Sequence, residues 1–103
     1  MEDQQYPPPP HLSPRAVALW HEYVPEKARS AGRLALVQTA LESLDRADAA
    51  RAEVEAAGMT TTTKSTGAVH VHPLIKVERE GRQMFAKLWG ELGFHWTNGV
   101  DRR

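Results

Sequence analysis

The stretch from Gly58 to Phe94 limits what this chain can fold into more than any other part of it. An alanine-rich helical pattern stops at Gly58, a threonine- and valine-rich excursion follows, and His72-Pro73 opens a second long helical pattern that closes on Leu92-Gly93. Two long apolar stripes joined by a β-prone connector suit an antiparallel pair of helices. Such a unit holds too small a core of its own to enclose an enzyme pocket, and its stripes call for partners. The pattern reads as an oligomerisation module.

The helix boundaries are written in the usual punctuation. Ser13 is a good N-cap and Pro14 suits the first helical position, where its missing N–H costs nothing. Leu12 and Val17 can staple the entry, and Val17, Trp20 and Val24 recur at helical spacing. Pro25 is expected to end or kink this helix near Val24, because its ring disfavours α geometry in the residue before it. A further turn from Glu26 is expected to break at Gly32. The second helix is expected from Arg33 or Leu34 to Ala57, about 35 Å long at the standard rise, with Gly58 just past its end. Val37, Ala40, Leu44, Ala47 and Val54 follow a three-and-four spacing interrupted at Arg51, while Leu34 and Leu41 widen the stripe into a packing seam. The third helix is expected from Pro73 to about Leu92, with Leu74, Val77, Met84, Phe85, Leu88, Trp89 and Leu92 on its apolar face. Gly81 in its middle costs about 1 kcal/mol against alanine, so either a second backbone passes close there or the helix bends. Trp20 and Trp89 fall on apolar faces and read as core. Trp96 covers the end of the bundle or meets a partner.

The fold class expected is all-α: a short N-terminal helix followed by a long antiparallel helical hairpin, oligomeric. Residues 1–11, with Tyr6-Pro7-Pro8-Pro9-Pro10, form a proline-rich disordered leader. Residues 12–94 form a single helical domain, and residues 95–103 an irregular basic tail. Thr60 to Thr63, Val69 and Val71 favour strand, and Lys64-Ser65-Thr66-Gly67 offers turn chemistry, so the connector is a small hairpin or a loop. A lone two-stranded hairpin is marginal, and order there would imply pairing with a neighbouring subunit. Val37, Leu41, Leu44, Val54, Val77, Met84 and Leu88 are the candidate oligomer interface.

Several functions are disfavoured outright. With 103 residues and no cysteine, there is room for one small domain and no thiolate chemistry. No Gly-rich phosphate loop and no Gly-x-Ser-x-Gly elbow is present. His70-x-His72 has the spacing of two ligands on a strand, but a third ligand is not obvious, and the plainer reading makes His72 a helix-start residue. Asp45 and Asp48 read as the solvated face of a helix. No catalytic residue, metal or cofactor is expected. No apolar run approaches a membrane span, and the acidic opening Met1-Glu2-Asp3 is unlike a signal peptide, so a cytoplasmic soluble protein is expected. The net charge is zero, which counts against strong non-specific binding of nucleic acid by a single chain. The charge is segregated, however. Residues 34–58 hold five acids and two bases, and residues 59–103 hold four acids and seven bases. If DNA is touched, Lys64, Lys76, Arg79, Arg82, Arg102 and Arg103 are the candidates, as phosphate contacts that read no bases and fall away with salt.

These features carry a resemblance. Leu12-Ser13-Pro14, Trp20 seven residues after the serine, a long helix ending at Gly58, the Met59–Thr63 connector, His72-Pro73 and the closing Leu92-Gly93 resemble, in that order, the small subunit of tailed-phage terminases. The likeness spans about Pro7 to Gly93, and the proline-rich approach to Leu12 is also similar. There are departures. Many relatives carry a basic, glycine-rich leader, an early aspartate in the second helix where this chain has Leu34 to Val37, and a proline and serine-arginine ending where this chain has His95-Trp96-Thr97-Asn98-Gly99. The resemblance implies a non-catalytic DNA-packaging factor: a homo-oligomeric ring that recognises viral double-stranded DNA and regulates the terminase large subunit, which holds the ATPase and nuclease. The alternatives are a helical oligomeric adaptor that binds a protein partner without DNA, and a metal-dependent enzyme built on His70 and His72.

Overall fold

The structure is a computed structural model that describes residues 6–58, 60–62 and 69–94. Three helices carry the fold: α1 (Pro14–Lys27), α2 (Ala31–Ala57) and α3 (Pro73–Leu92). Between α2 and α3 the strands β1 (Thr60–Thr62) and β2 (Val69–Val71) pair antiparallel, with Thr60 opposite Val71 and Thr62 opposite Val69. The described residues are thus mostly helical, as an all-α chain requires. The turn chemistry at 64–67, Trp96 and the basic tail lie outside the described residues.

Local chemistry explains each boundary. The Ala16 N–H donates to Ser13 Oγ at 3.1 Å, with Pro14 at the start of α1. Pro25 does not stop that helix, which continues to Lys27. The bond lost is the one to the His21 carbonyl, close to the helix end and at an exposed residue where solvent can replace it. Arg29 Nε donates to the Pro25 carbonyl at 2.7 Å and supports the same turn. Gly32 does not act as a breaker either. Ser30 caps α2 by accepting from the Arg33 N–H at 3.2 Å, and Gly32 lies within the first turn, so the helix starts earlier than its apolar stripe. At the far end Gly58 takes φ +92° and donates to the Val54 carbonyl at 2.7 Å. His72 is the N-cap of α3, its Nδ1 accepting from the Leu74 N–H at 3.1 Å, and Gly93 closes the helix in the left-handed region at φ +80°.

One apolar cluster joins α1, the first half of α2 and the last half of α3. It contains Leu12, Ala16, Trp20, Val24, Val37, Leu41, Leu88, Trp89, Leu92 and Phe94, all buried. Tyr23, Phe85, Trp89 and Phe94 pack ring on ring, with centroids 4.8–5.1 Å apart, a geometry that adds about 1 kcal/mol per pair to area burial. Part of the expected disordered leader also lies on this cluster: Tyr6 is half-buried against it, and Trp20 Nε1 donates to the Tyr6 carbonyl at 2.7 Å. The leader is held because a buried indole N–H needs an acceptor, and the Tyr6 carbonyl supplies it.

Two polar clamps fix the packing. Asp45 on α2 accepts from the Ser13 N–H at 2.8 Å and the Ser13 hydroxyl at 2.6 Å, placing a carboxylate at the N-terminus of α1. Arg33 donates through Nε to the Lys27 carbonyl at 2.9 Å and through Nη2 to the Leu92 carbonyl at 2.6 Å, so one cation serves the C-terminal ends of α1 and α3. Its guanidinium also stands 5.7 Å from the Phe94 ring centroid.

Along α2 and α3 the contacts run in opposite sequence order: Arg33 meets Leu92, Ser43 and Ala47 meet Gly81, and Arg51 meets Glu78. At the centre of this run a Cβ on Gly81 would stand 2.8 Å from the Ser43 carbonyl oxygen and 3.1 Å from Ala47 Cβ. A second backbone does pass close to Gly81, and that is why a glycine is kept there. Gly81→Ala is expected to destabilise the chain by about 1–3 kcal/mol in chemical denaturation, although helix propensity alone would favour alanine by about 1 kcal/mol.

Candidate nucleic-acid and assembly surfaces

The six basic candidates do not form one patch among the described residues. Lys64, Arg102 and Arg103 lie outside those residues. Arg82 is engaged inside the fold: its Nε donates to Glu78 Oε2 at 3.0 Å and its Nη1 to Asp48 Oδ1 at 3.2 Å. Burial works to lower the Arg82 pKa, but hydrogen bonds to Glu78 and Asp48 outweigh it and hold the guanidinium above its ordinary value. Arg82 is therefore a tie between α3 and α2, with its charge answered on both sides. Lys76 faces Glu80 at 3.9 Å, an exposed pair of little worth. Arg79 is exposed, and it has no hydrogen-bond or ion-pair partner among the described residues.

Sequence reasoning passed over Lys87. It is exposed and, like Arg79, unpaired among the described residues. Positions 76, 79, 83 and 87 recur at helical spacing, so Lys76, Arg79, Gln83 and Lys87 share one solvent-facing stripe of α3. A shallow depression of about 510 Å³ runs beside it, with Ile75, Arg79, Gln83 and Ala86 among its lining residues. The signal for Lys87 was available in the helical spacing itself. What hid it was its place between Phe85 and Leu88 in an apolar run.

Most of the candidate oligomer interface is core. Val37, Leu41, Leu44, Val54 and Leu88 are buried within the single chain, so their seam is spent between α2 and its own neighbours and is not open to a second copy. Val77 and Met84 differ. Val77 is half-buried and Met84 exposed, and both line a groove of about 420 Å³ between α2 and α3, with Thr39, Ser43, Arg46 and Glu80. Apolar exposure also marks β2, where Val69 and Val71 are 67% and 66% exposed on alternate positions that point to one face.

Asp45 and Asp48 are not a solvated face. Asp45 holds Ser13, and Asp48 lies between Arg82 at 3.2 Å and Arg15 at 3.5 Å, joining all three helices by charge. Of the two histidines with ligand spacing, His72 spends its Nδ1 on the helix cap and His70 is exposed in β2. Among the described residues no group of three His, Asp or Glu side chains is placed to hold a metal ion, and no helix is long and apolar enough to cross a membrane. No family model, curated protein or solved structure matches the chain.

One further charge cluster fastens His11, the last residue of the expected leader. Glu42 Oε2 receives a hydrogen bond from Gln38 Nε2 at 2.9 Å and meets His11 Nε2 at 2.7 Å. The Gln38 bond first, and the His11 bond next, hold the Glu42 carboxyl below its ordinary value of 4.5, against a smaller opposing effect of burial. A lowered folded pKa means that the stabilisation is present above the ordinary value and is lost as pH falls through the folded one. Glu42→Gln is expected to cost under about 1 kcal/mol at neutral pH, since the cluster is partly exposed. Urea denaturation from about pH 5 to pH 3 should show a shallower loss of stability for the variant than for the native chain.

Proposed function

We infer that this chain is the small subunit of a phage terminase: a non-catalytic DNA-packaging factor that assembles as a homo-oligomeric ring of helical hairpins. In this reading it binds viral double-stranded DNA through phosphate contacts and regulates the large ATPase and nuclease subunit in the host cytoplasm. The observation that carries the reading is where the family-like motifs fall. Ser13-Pro14 opens α1, Trp20 sits in the core, Gly58 closes α2, His72-Pro73 opens α3 and Leu92-Gly93 closes it. These five do structural work at a boundary or in the core, while of the Met59–Thr63 connector only Thr60–Thr62, in β1, is among the described residues. The open apolar groove at Val77 and Met84 and the exposed valines of β2 support assembly. The Lys76, Arg79 and Lys87 stripe supports phosphate contact, weak in one chain and strengthened by repetition around a ring.

A second reading, an oligomeric adaptor that binds a protein without DNA, is favoured by one observation: Arg82 is neutralised by Asp48 and Glu78, which removes one of the basic candidates. Light scattering behind a sizing column, at low and high salt, separates the first question from the second. A discrete assembly of about eight to twelve subunits, the range the resemblance implies, is expected; gain in effective concentration on assembly is what makes weak DNA contacts count. A monomer or dimer would remove the ring. On an assembled sample, the double change Arg79→Glu with Lys87→Glu is expected to weaken duplex DNA binding at least about tenfold at low salt and to flatten its salt dependence. Unchanged binding would remove Arg79 and Lys87 from the DNA surface, and a stable native assembly that binds no duplex DNA even at low salt would leave the adaptor. Arg82→Glu is expected to act differently, lowering stability because it sets a third carboxylate beside Asp48 and Glu78.

A further inference from the structure

The N-terminal arm meets the fold through a contact with its own chemistry. Trp20 is 5% exposed, and its indole N–H donates to the Tyr6 carbonyl at 2.7 Å, at the head of the run Pro7-Pro8-Pro9-Pro10. Tyr6, Pro8 and Pro9 are half-buried while Pro7 and Pro10 are exposed, so one side of the arm lies on the protein. An extended proline-rich chain makes no internal hydrogen bonds and presents its carbonyls outward, and an aromatic side chain with an N–H is the group that reads such a chain. Downstream the chain turns, Leu12 N–H to the Pro9 carbonyl at 3.3 Å, and is pinned by His11 of that turn on Glu42 and by Ser13 beyond it on Asp45. The His11 and Ser13 anchors and the Trp20–Tyr6 contact are made by separate residues.

We propose that the Trp20 surface is a docking site for a polyproline segment, filled within the chain by its own arm and, in the assembled protein, by the arm of a second copy. The proposal rests on the homo-oligomer reading above. The occupant is set by fit: the arm beside Trp20 is the proline-rich segment whose carbonyl and apolar side the site already receives. Opening the Pro9–Leu12 turn frees residues 6–10 while His11 and Ser13 stay bound to α2, and the same contacts then form between chains. Five residues in a polyproline helix reach about 15 Å, so only an adjacent copy can be served.

The test uses the full chain with Pro8→Gly and Pro9→Gly, ¹⁵N-labelled, and follows the Trp20 indole N–H by NMR. The synthetic peptide Met1–Leu12 of native sequence, added in excess, is expected to move that resonance saturably towards its native position, and unlabelled native chain is expected to move it the same way. With Trp20→Phe added to the labelled chain, which deletes both the donor and the indole signal, peptide binding is followed by the backbone amides of α1 in both chains and is expected to weaken about three- to tenfold, the worth of one hydrogen bond. A resonance unmoved by millimolar peptide, or equal peptide affinity with Phe at position 20, overturns the site. Peptide binding with no effect of the native chain overturns the second-copy occupant. A light-scattering monomer whose Trp20 still takes the peptide would sink the ring reading and the second-copy occupant while leaving the polyproline site standing. Thermal melts check that each variant is folded. Should the glycine variant lose its fold, contacts in an isotope-mixed native sample between Trp20 of labelled chains and prolines of unlabelled ones decide instead: their presence supports exchange and their absence overturns it.

Discussion

At Gly81 the backbone of α3 passes α2 with no side chain between them, and the separation of the two helices is set at that point. The Ser43 carbonyl and Ala47 methyl fill the space a Cβ would take. Contact this close lets short side chains count. Ala40, Ala47 and Ala50 are buried between or beside the helices, where longer residues would hold them apart. Other features follow from the same spacing. Arg82 reaches Asp48, Arg51 comes within 3.8 Å of Glu78, and Val77 and Met84 remain at the lip of the groove.

The helix α1 is attached by a different kind of force. Its apolar face contributes Ala16, Trp20 and Val24 to the cluster, but its orientation is fixed at both ends by charge: Asp45 at its N-terminus and Arg33 at its C-terminus. Both signs complement the helix dipole. Because Arg33 also takes the Leu92 carbonyl, the ends of α1 and α3 are held by one side chain, and neither can shift without the other losing a charged hydrogen bond.

Much of this was legible in the sequence wherever one residue type has one physical use. Ser13-Pro14, Gly58, His72-Pro73 and Gly93 mark helix ends through capping and positive φ, and Gly81 signalled close approach because a mid-helix glycine needs compensation. Reading failed where context decides. Pro25 and Gly32 both sit within a turn of a helix end, where the breaker effect is weak, and Ser30 outweighed them as a cap. The apolar seam suits an interface between subunits by its spacing, yet Val37, Leu41, Leu44, Val54 and Leu88 are consumed within the chain, since periodicity reports that a face is buried and not against what. Arg82 and Asp48 cannot be paired from sequence, being 34 residues apart, and without that pairing Arg82 stands among the DNA candidates while Lys87 does not.

The helix α1 rests on only one half of the α2–α3 pair. Towards the β ribbon the two long helices stand as a single layer, with Ala50 and Val54 the last buried apolar residues of α2. Burial per residue is lower there than around Trp89. The molecule therefore has a graded cooperativity: the ribbon end can open in a local step of lower free energy while the aromatic end stays folded. Amide protons of 50–57 and 73–80 would exchange ahead of those at 37–47, and the chain would behave as a firm head carrying a softer, extensible limb.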